Sequence, residues 1–288
     1  MNLTAIHLYS TLDDGTTSVK HAELNLKNVS VSDSYIIKGV SGLDSDEITH
    51  NYYANNTGST SNYYNATSKT RVVVMLIKLN PQYAKSETVE SLRINLQKMI
   101  AFTRNSLIEL RFMNSTTHVA TLKGHITKFE SALFTSEPEV QITFECEEPL
   151  LLSPTYTTVT IGTARENTKT WTDNVSTSPH GFKMELSIPS NIISMTIQGV
   201  SGANYANFDF GFINNNAGGV LYFSSEKNNR YLYIITSGTT EDLVARIDPF
   251  SVWPLMYPGQ TSITIDTDLA TETFLYQSIS YKTAFWGL

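Results

Sequence analysis

From about Ser153 onward the chain shows no helical periodicity. Its apolar residues fall in short runs: Phe182 to Ile188, Ile192 to Gln198, Phe208 to Ile213, Val220 to Phe223, Tyr231 to Ile235 and Ile263 to Ile265, with a longer one at Phe274 to Tyr281. Gly, Asn, Pro and Ser separate them at roughly ten-residue intervals, the spacing of strands joined by tight turns. Strands of that length each bury one face, and a sheet built from them must cover that face with a second sheet. The second half is therefore expected to be a β-sandwich or jelly roll.

The first half mixes strands with one helix. Ile6 to Tyr9, Glu23 to Leu26 and Tyr35 to Val40 are short strand candidates. Arg71 to Leu79 contains VVVMLI, β-branched and uncharged, and reads as a buried strand ended by Pro81. Ser86 is the expected N-cap of a helix, with Glu87 and Glu90 in the first turn. Val89, Leu92, Leu96, Met99 and Ile100 follow at helical spacing and should form one apolar stripe ending near Arg104-Asn105. Strands resume at Leu107 to Phe112, His118 to Leu122, Gly124 to Phe129 and Val140 to Phe144. A chain of 288 residues fits two domains of about 100–200 residues each. The boundary is expected at Ser153, giving domains 1–153 and 154–288.

Between these strands, residues 51–69 are poor in aliphatics and rich in Asn, Tyr, Ser and Thr. NYY occurs twice, at Asn51-Tyr52-Tyr53 and Asn62-Tyr63-Tyr64, on either side of Asn56-Thr57-Gly58-Ser59. The pattern fits a long hairpin turning at the glycine, whose tyrosines can lie against a neighbour at low entropy cost. It also fits a mobile surface loop.

Charged residues make up only 16% of the chain, below the roughly 25% of ordinary soluble domains. The surface must instead be Ser, Thr, Asn and Tyr, neutral groups that are cheaper to desolvate at subunit contacts than charges. A net charge of -7 lacks the clustered Lys and Arg of a nucleic-acid footprint, while an acidic wall would let DNA slide past. The single cysteine, Cys146, excludes an intrachain disulfide, and its acidic neighbours Glu145, Glu147 and Glu148 disfavour a reactive thiolate. It is expected to act as a small buried hydrophobe. No signal peptide is visible at the N-terminus and no apolar run approaches the ~18 residues of a membrane span, so the chain is expected to be made in a cytoplasm without membrane insertion.

Nothing in the sequence points to catalysis. The histidines at 7, 21, 50, 118, 125 and 180 lack metal-site spacing and read as scattered surface or strand residues. Asp44, Asp46 and Glu47 lack the ordered oxygen ligands of a Ca²⁺ loop. No Gly-x-Ser-x-Gly elbow or P-loop occurs. No catalytic, cofactor-binding or metal-ligating residue is assigned. Arg71, Arg93, Arg104 and Arg111 lie in the first domain with Glu87, Glu90 and Glu109, and either inter-subunit or intrahelical ion pairs would account for them.

The most ordered motif runs from Arg246 to Asp266, RIDPFSVWPLMYPGQTSITID. It sets Asp248, Trp253-Pro254-Leu255 and Pro258-Gly259 before an alternating strand. This segment resembles the closing segment of the distal tail proteins of long-tailed phages. Two other passages resemble the same family in the same order: Gly39-Val40-Ser41-Gly42-Leu43-Asp44 with Glu47-Ile48, and Glu137-Pro138-Glu139-Val140-Gln141-Ile142 leading to Cys146 and Pro149. The resemblance implies a mainly β fold: an N-terminal β-sandwich-like ring domain with one α-helix, and a C-terminal galectin-like, jelly-roll β-sandwich sealed by Trp253, Pro254, Pro258 and Gly259. It implies a structural, non-enzymatic protein of the virion tail tip: a homohexameric ring joining the tail tube protein to the hub or tip protein around a channel for DNA. Receptor-binding or side-fibre proteins dock on the ring in many members. Within that reading the ring interface would use Tyr52, Tyr53, Tyr63, Tyr64, Arg71 and Arg93. The alternative is a carbohydrate-binding host-adhesion module. Asn207 to Asn216 loosely resembles a galectin sugar-binding strand but has no histidine near it, and Trp171 and Trp253 are the rings that could stack on a sugar.

Overall fold

A computed structural model of the chain describes residues 3–11, 18–26, 33–44, 48–54, 61–68, 70–103, 107–131, 138–159, 165–202, 204–269 and 273–287. The chain divides into two compact units: residues 1–154 with 286–288, and residues 155–285. Among the described residues no helix is long and apolar enough to cross a membrane.

The first unit contains β1 (Ala5–Thr11), β2 (Ser18–Leu26), β3 (Tyr35–Ser41), β4 (Ile48–Ala54), β5 (Ser61–Ser68), β6 (Val72–Leu79), α1 (Val89–Thr103), β7 (Ile108–Asn114), β8 (Thr117–Ser131), β9 (Glu139–Cys146) and β10 (Leu151–Leu152). Its main sheet runs β8-β7-β1-β2-β3-β6-β9, and β9 pairs back with β8, so the sheet closes on itself. Closure removes the open edges that sheets otherwise expose. Its pairs are antiparallel except β2 with β3. Alternation along the strands sends Ile6, Leu8, Val73, Met75, Leu110 and Phe144 into the interior, each no more than 1% exposed. The β6 strand is thus half-buried rather than buried on both faces, and Val72 is 44% exposed.

The sequence suggests two strands around Gly124. The structure has one long strand, β8, with Gly124 at its crossing point. There it faces Ile108 of β7 on one side and Cys146 of β9 on the other. A Cβ at this position would stand 2.0 Å from the Glu145 carbonyl oxygen, so the glycine permits the closest approach in the closure.

Helix α1 packs against β6 and β8. Its cap lies two residues later than the sequence suggests. Thr88 Oγ1 accepts from the Ser91 amide at 3.1 Å and Ser91 Oγ accepts from the Thr88 amide at 2.9 Å, a reciprocal capping pair. Ser86 instead has φ 56° and ends a short 3₁₀ turn, Tyr83–Lys85. Glu87 does not sit in the helix; its carboxylate accepts from Ser34 Oγ at 2.7 Å and from the Gln82 amide at 3.1 Å. Leu92 and Leu96 are buried and Val89 is 37% exposed. The side chains of Met99 and Ile100, and the expected helix end at Arg104-Asn105, lie outside the described residues.

The second unit is a two-layer antiparallel sandwich. Its strands are β11 (Thr157–Val159), β12 (Thr168–Asp173), β13 (Phe182–Ser187), β14 (Ser194–Ser201), β15 (Asn204–Gly211), β16 (Val220–Ser224), β17 (Tyr231–Thr236), β18 (Thr239–Asp242), β19 (Gly259–Thr267) and β20 (Leu275–Tyr281). One layer is ordered β11-β20-β13-β16-β17-β18 and the other β12-β19-β14-β15. Phe182, Phe223 and Leu232 from the first layer meet Phe208, Ile197 and Ile263 from the second in one core. The structure is mainly β with a single α-helix among the described residues, as the sequence implies.

Candidate functional site

The closing segment begins at the β15 edge of the four-stranded layer. Asp248 N donates to the Asp209 carbonyl at 2.9 Å, and Val252 N to the Asn207 carbonyl at 2.7 Å. Ser251 Oγ accepts from the Asp209 amide at 2.8 Å. The segment therefore lies along β15, an edge strand, and occupies backbone groups that would otherwise face solvent. Asp248 starts a tight turn by accepting the Phe250 amide at 2.8 Å, which leaves Phe250 at the tip, 91% exposed.

Past the turn the chain enters the sandwich. The Trp253 ring stands 4.4 Å from Phe208 and 5.5 Å from Phe223, with the Arg230 guanidinium 5.2 Å over its face. Pro254 is seated on Gly199; a Cβ there would come within 2.7 Å of the proline. Met256 and His180 exchange backbone hydrogen bonds of 2.8 and 2.9 Å. Gly259 then takes φ +92° at the start of β19, a conformation that favours glycine. The order Asp, Trp-Pro, Pro-Gly thus follows the path: turn, ring, seat, second turn. Pro258 is exposed and makes none of the core contacts of Trp253 and Pro254.

Arg71 is 3% exposed. Its guanidinium donates to the Gly42 carbonyl at 3.2 Å and to the Trp286 carbonyl, fastening Trp286 into the first unit. Gly42 has φ +85°, and a Cβ there would stand 2.0 Å from the Val72 carbonyl oxygen. The Gly-Leu-Asp passage and Arg71 are therefore one internal clamp. Arg71 is thus held inside its own unit.

Arg93 and Arg111 pair locally. Arg93 bonds Glu90 one turn earlier on α1, at the helix surface. Arg111 bonds Glu109 at 2.8 Å and lies 3.8 Å over the Tyr9 ring. Burial pushes the Glu109 carboxyl up, and the hydrogen bond from Arg111 with the nearby Lys123 more than offsets it, leaving it below the usual carboxylate range. Arg104 lies outside the described residues.

The Tyr-rich stretch is a hairpin. Its strands β4 and β5 form a separate two-stranded sheet, with Tyr52 opposite Tyr63 and Tyr53 opposite Asn62. The register slips between Asn51 and Tyr52, which puts Tyr64 at the bulge. Among the described residues, neither strand pairs with the closed sheet.

Two sugar-stacking candidates fall away. Trp171 is 7% exposed and meets Phe182 edge-on at 6.0 Å; Trp253 is engaged as above. In the 207–216 stretch, Phe208, Phe210 and Phe212 face the core, and Asn216 is 1% exposed, with its side-chain oxygen accepting from the Ile192 amide at 3.0 Å. Cys146 is buried at 1% exposure. Among the described residues, no group of three or more His, Cys, Asp or Glu could hold a metal ion. One residue escaped sequence reasoning: His180, read as a surface or strand histidine, is buried beside Asp173. A lone histidine carries no periodic signal that would mark it as internal.

No protein family's sequence pattern matches the chain, and no curated protein matches it. Solved structures do. A chain from the baseplate of phage P2 in its activated conformation with Ca aligns over 99% of this chain and 98% of its own, at 10% identity and a TM-score of 0.44, too loose a likeness to argue from. The Dit protein of phage SPP1, gp 19.1, described as a paradigm of the hub adsorption apparatus in phages infecting Gram-positive bacteria, aligns over 97% of this chain and 99% of its own. The identity is 13% and the TM-score 0.59. At that identity what is shared is the architecture: across nearly its whole length, this chain has the fold of a phage distal tail protein.

Proposed function

We propose that copies of this chain close into a six-membered ring at the tip of a phage tail, joining the tail tube protein to the hub or tip protein around a channel through which DNA passes. The observation that carries this reading is the β4–β5 ribbon. Such a two-stranded hairpin is marginally stable alone in water, and this one pairs with nothing else among the described strands. A neighbouring subunit supplies the surface it lacks. A head-to-tail contact of that kind closes into a ring when the rotation per subunit divides the circle. The ribbon carrying Tyr52, Tyr53, Tyr63 and Tyr64, and the helix surface bearing Arg93, form the contact, while Arg71 braces the unit from within. The shared architecture with the SPP1 Dit protein supports the same role, and the work of the chain is assembly rather than catalysis. The net charge of -7 suits a channel that phosphates slide past. Receptor-binding or side-fibre proteins dock on the sandwich of the second unit, which Trp253, Pro254 and Gly259 keep closed, and the protein is made in the host cytoplasm before joining the virion.

Electron microscopy of the purified protein mixed with its cognate tube protein tests the reading. Sixfold rings seated on tube ends are expected; separate single copies beside bare tubes would refute it.

A further inference from the structure

The last part of the closing segment, Tyr257, Pro258 and Gln260, walls a cavity of about 650 Å³ in the second unit. Its floor is the outer face of the four-stranded layer. Thr168 and Thr170 come from β12, Ser262 from β19 and Val200 from β14; Ser262 faces Thr170 on one side and Val200 on the other. Their strand neighbours Trp171 and Ile263 point into the core, so alternation turns this set outward. The volume lies within the range of small-molecule sites.

The lining selects the ligand. Ser201 joins the hydroxyls of Thr168, Thr170 and Ser262, and Gln260 adds a carboxamide. No Asp, Glu, Lys, Arg or His is among the lining residues. A charged ligand would find no counter-charge, and a wholly apolar one would strip water from hydroxyls without replacing it. Several of these groups are held in place: Thr168 Oγ1 bonds Thr264 Oγ1 at 2.9 Å, and Ser201 Oγ donates to the Gln260 carbonyl at 3.0 Å. Ser201 is buried with its hydroxyl on the Gln260 carbonyl, so it braces the wall that carries the Gln260 side chain. Tyr257, Pro258 and Val200 add apolar surface of the kind that packs on the C–H faces of a sugar ring. A peptide strand has only the outer edge of β12 to pair with, since β19 and β14 are each paired on both sides, and a strand added at that edge lies beside the sheet rather than over Ser262 and Val200. We infer that this cavity is a binding subsite for a neutral saccharide. The inference is independent of ring assembly, since every lining residue belongs to one unit of one copy.

Saturation-transfer NMR on the full chain tests it with maltose, cellobiose, lactose and N,N′-diacetylchitobiose as probes, with N-acetylneuraminic acid and an uncharged tetrapeptide alongside. At least one neutral disaccharide should bind with a Kd on the order of 1 mM. Thr170→Trp, which fills the cavity, should abolish the signal, and Gln260→Ala should weaken binding by roughly 2–10-fold, the worth of one neutral hydrogen bond. Circular dichroism establishes that each variant is folded; if Thr170→Trp is not, Gln260→Ala decides. Absence of binding by all four neutral disaccharides, binding that Gln260→Ala leaves unchanged, or binding of only the acid or the tetrapeptide would overturn the proposal.

Discussion

His180 Nε2 stands 3.7 Å from Asp173 Oδ2, with both side chains buried in the second unit. The other ring nitrogen donates to the Ser178 carbonyl at 2.9 Å, and Asp173 Oδ1 accepts the Val175 and Ser176 amides at 3.0 Å each. Burial lowers the His180 pKa below its ordinary 6.5, against the opposing pull of the Ser178 carbonyl, Asp173 and Glu226. The folded state therefore holds the neutral ring, and the unfolded state takes up the proton first. The second unit should be at full stability above pH 6.5 and lose it as pH falls from 6.5 through the lowered folded value. Denaturation midpoints measured across that window should slope downward toward acid, and His180→Gln should flatten the slope. A slope of opposite sign would show that Asp173 dominates over burial.

The Trp253 ring, 4.4 Å from Phe208, carries much of the closure of the sandwich. Trp253→Ala should cost about 3 kcal/mol through the cavity it leaves, whereas Trp253→Phe should cost clearly less. Urea unfolding followed by far-ultraviolet circular dichroism gives both numbers.

Gly124 and Gly39 make a contrasting pair in the first unit. A methyl at Gly124 collides with the Glu145 carbonyl and the Cys146 Cα, while one at Gly39 meets nothing within 4 Å. Gly124→Ala should cost about 3 kcal/mol or prevent folding, because the obstacle is backbone. Gly39→Ala should change stability by no more than about 0.5 kcal/mol. Thermal melts of the two variants side by side check the difference.

Arg71→Met keeps much of the side-chain volume but leaves the Gly42 and Trp286 carbonyls without that donor. A cost of about 2 kcal/mol follows from the buried hydrogen bonds lost. The backbone around Trp286 should also loosen, so amide hydrogen exchange there should be faster in the variant than in the parent.

The second unit was readable because its strands alternate and its turns use Gly, Asn and Pro for their backbone angles. The closing segment was readable for the same reason: Trp253, Pro254 and Gly259 are there for shape, and shape restricts residue type. Other features depend on partners distant in the chain. Thr88 and Ser86 are both hydroxyl residues, and the 3₁₀ turn at Tyr83–Lys85 decides which one caps α1. Gly124 looked like a break between strands because a glycine that ends a strand and one that lets two strands crowd a third are the same letter. Arg71 reads from the sequence as an ion-pair or interface candidate at the head of an apolar strand, because the carbonyl it meets lies 215 residues away. The cavity beside Tyr257 gathers residues from β12, β14 and β19, and no local pattern marks such a gathering.

The central claim is that the ribbon β4–β5 makes copies of this chain close into a ring. Mass photometry of the full chain, beside a variant in which residues 48–68 are replaced by a short Gly/Ser linker, tests it most directly. The account predicts particles of six copies for the full chain and single copies for the variant. A full chain that stays single at every concentration, or a ribbonless variant that still gathers in sixes, would contradict it.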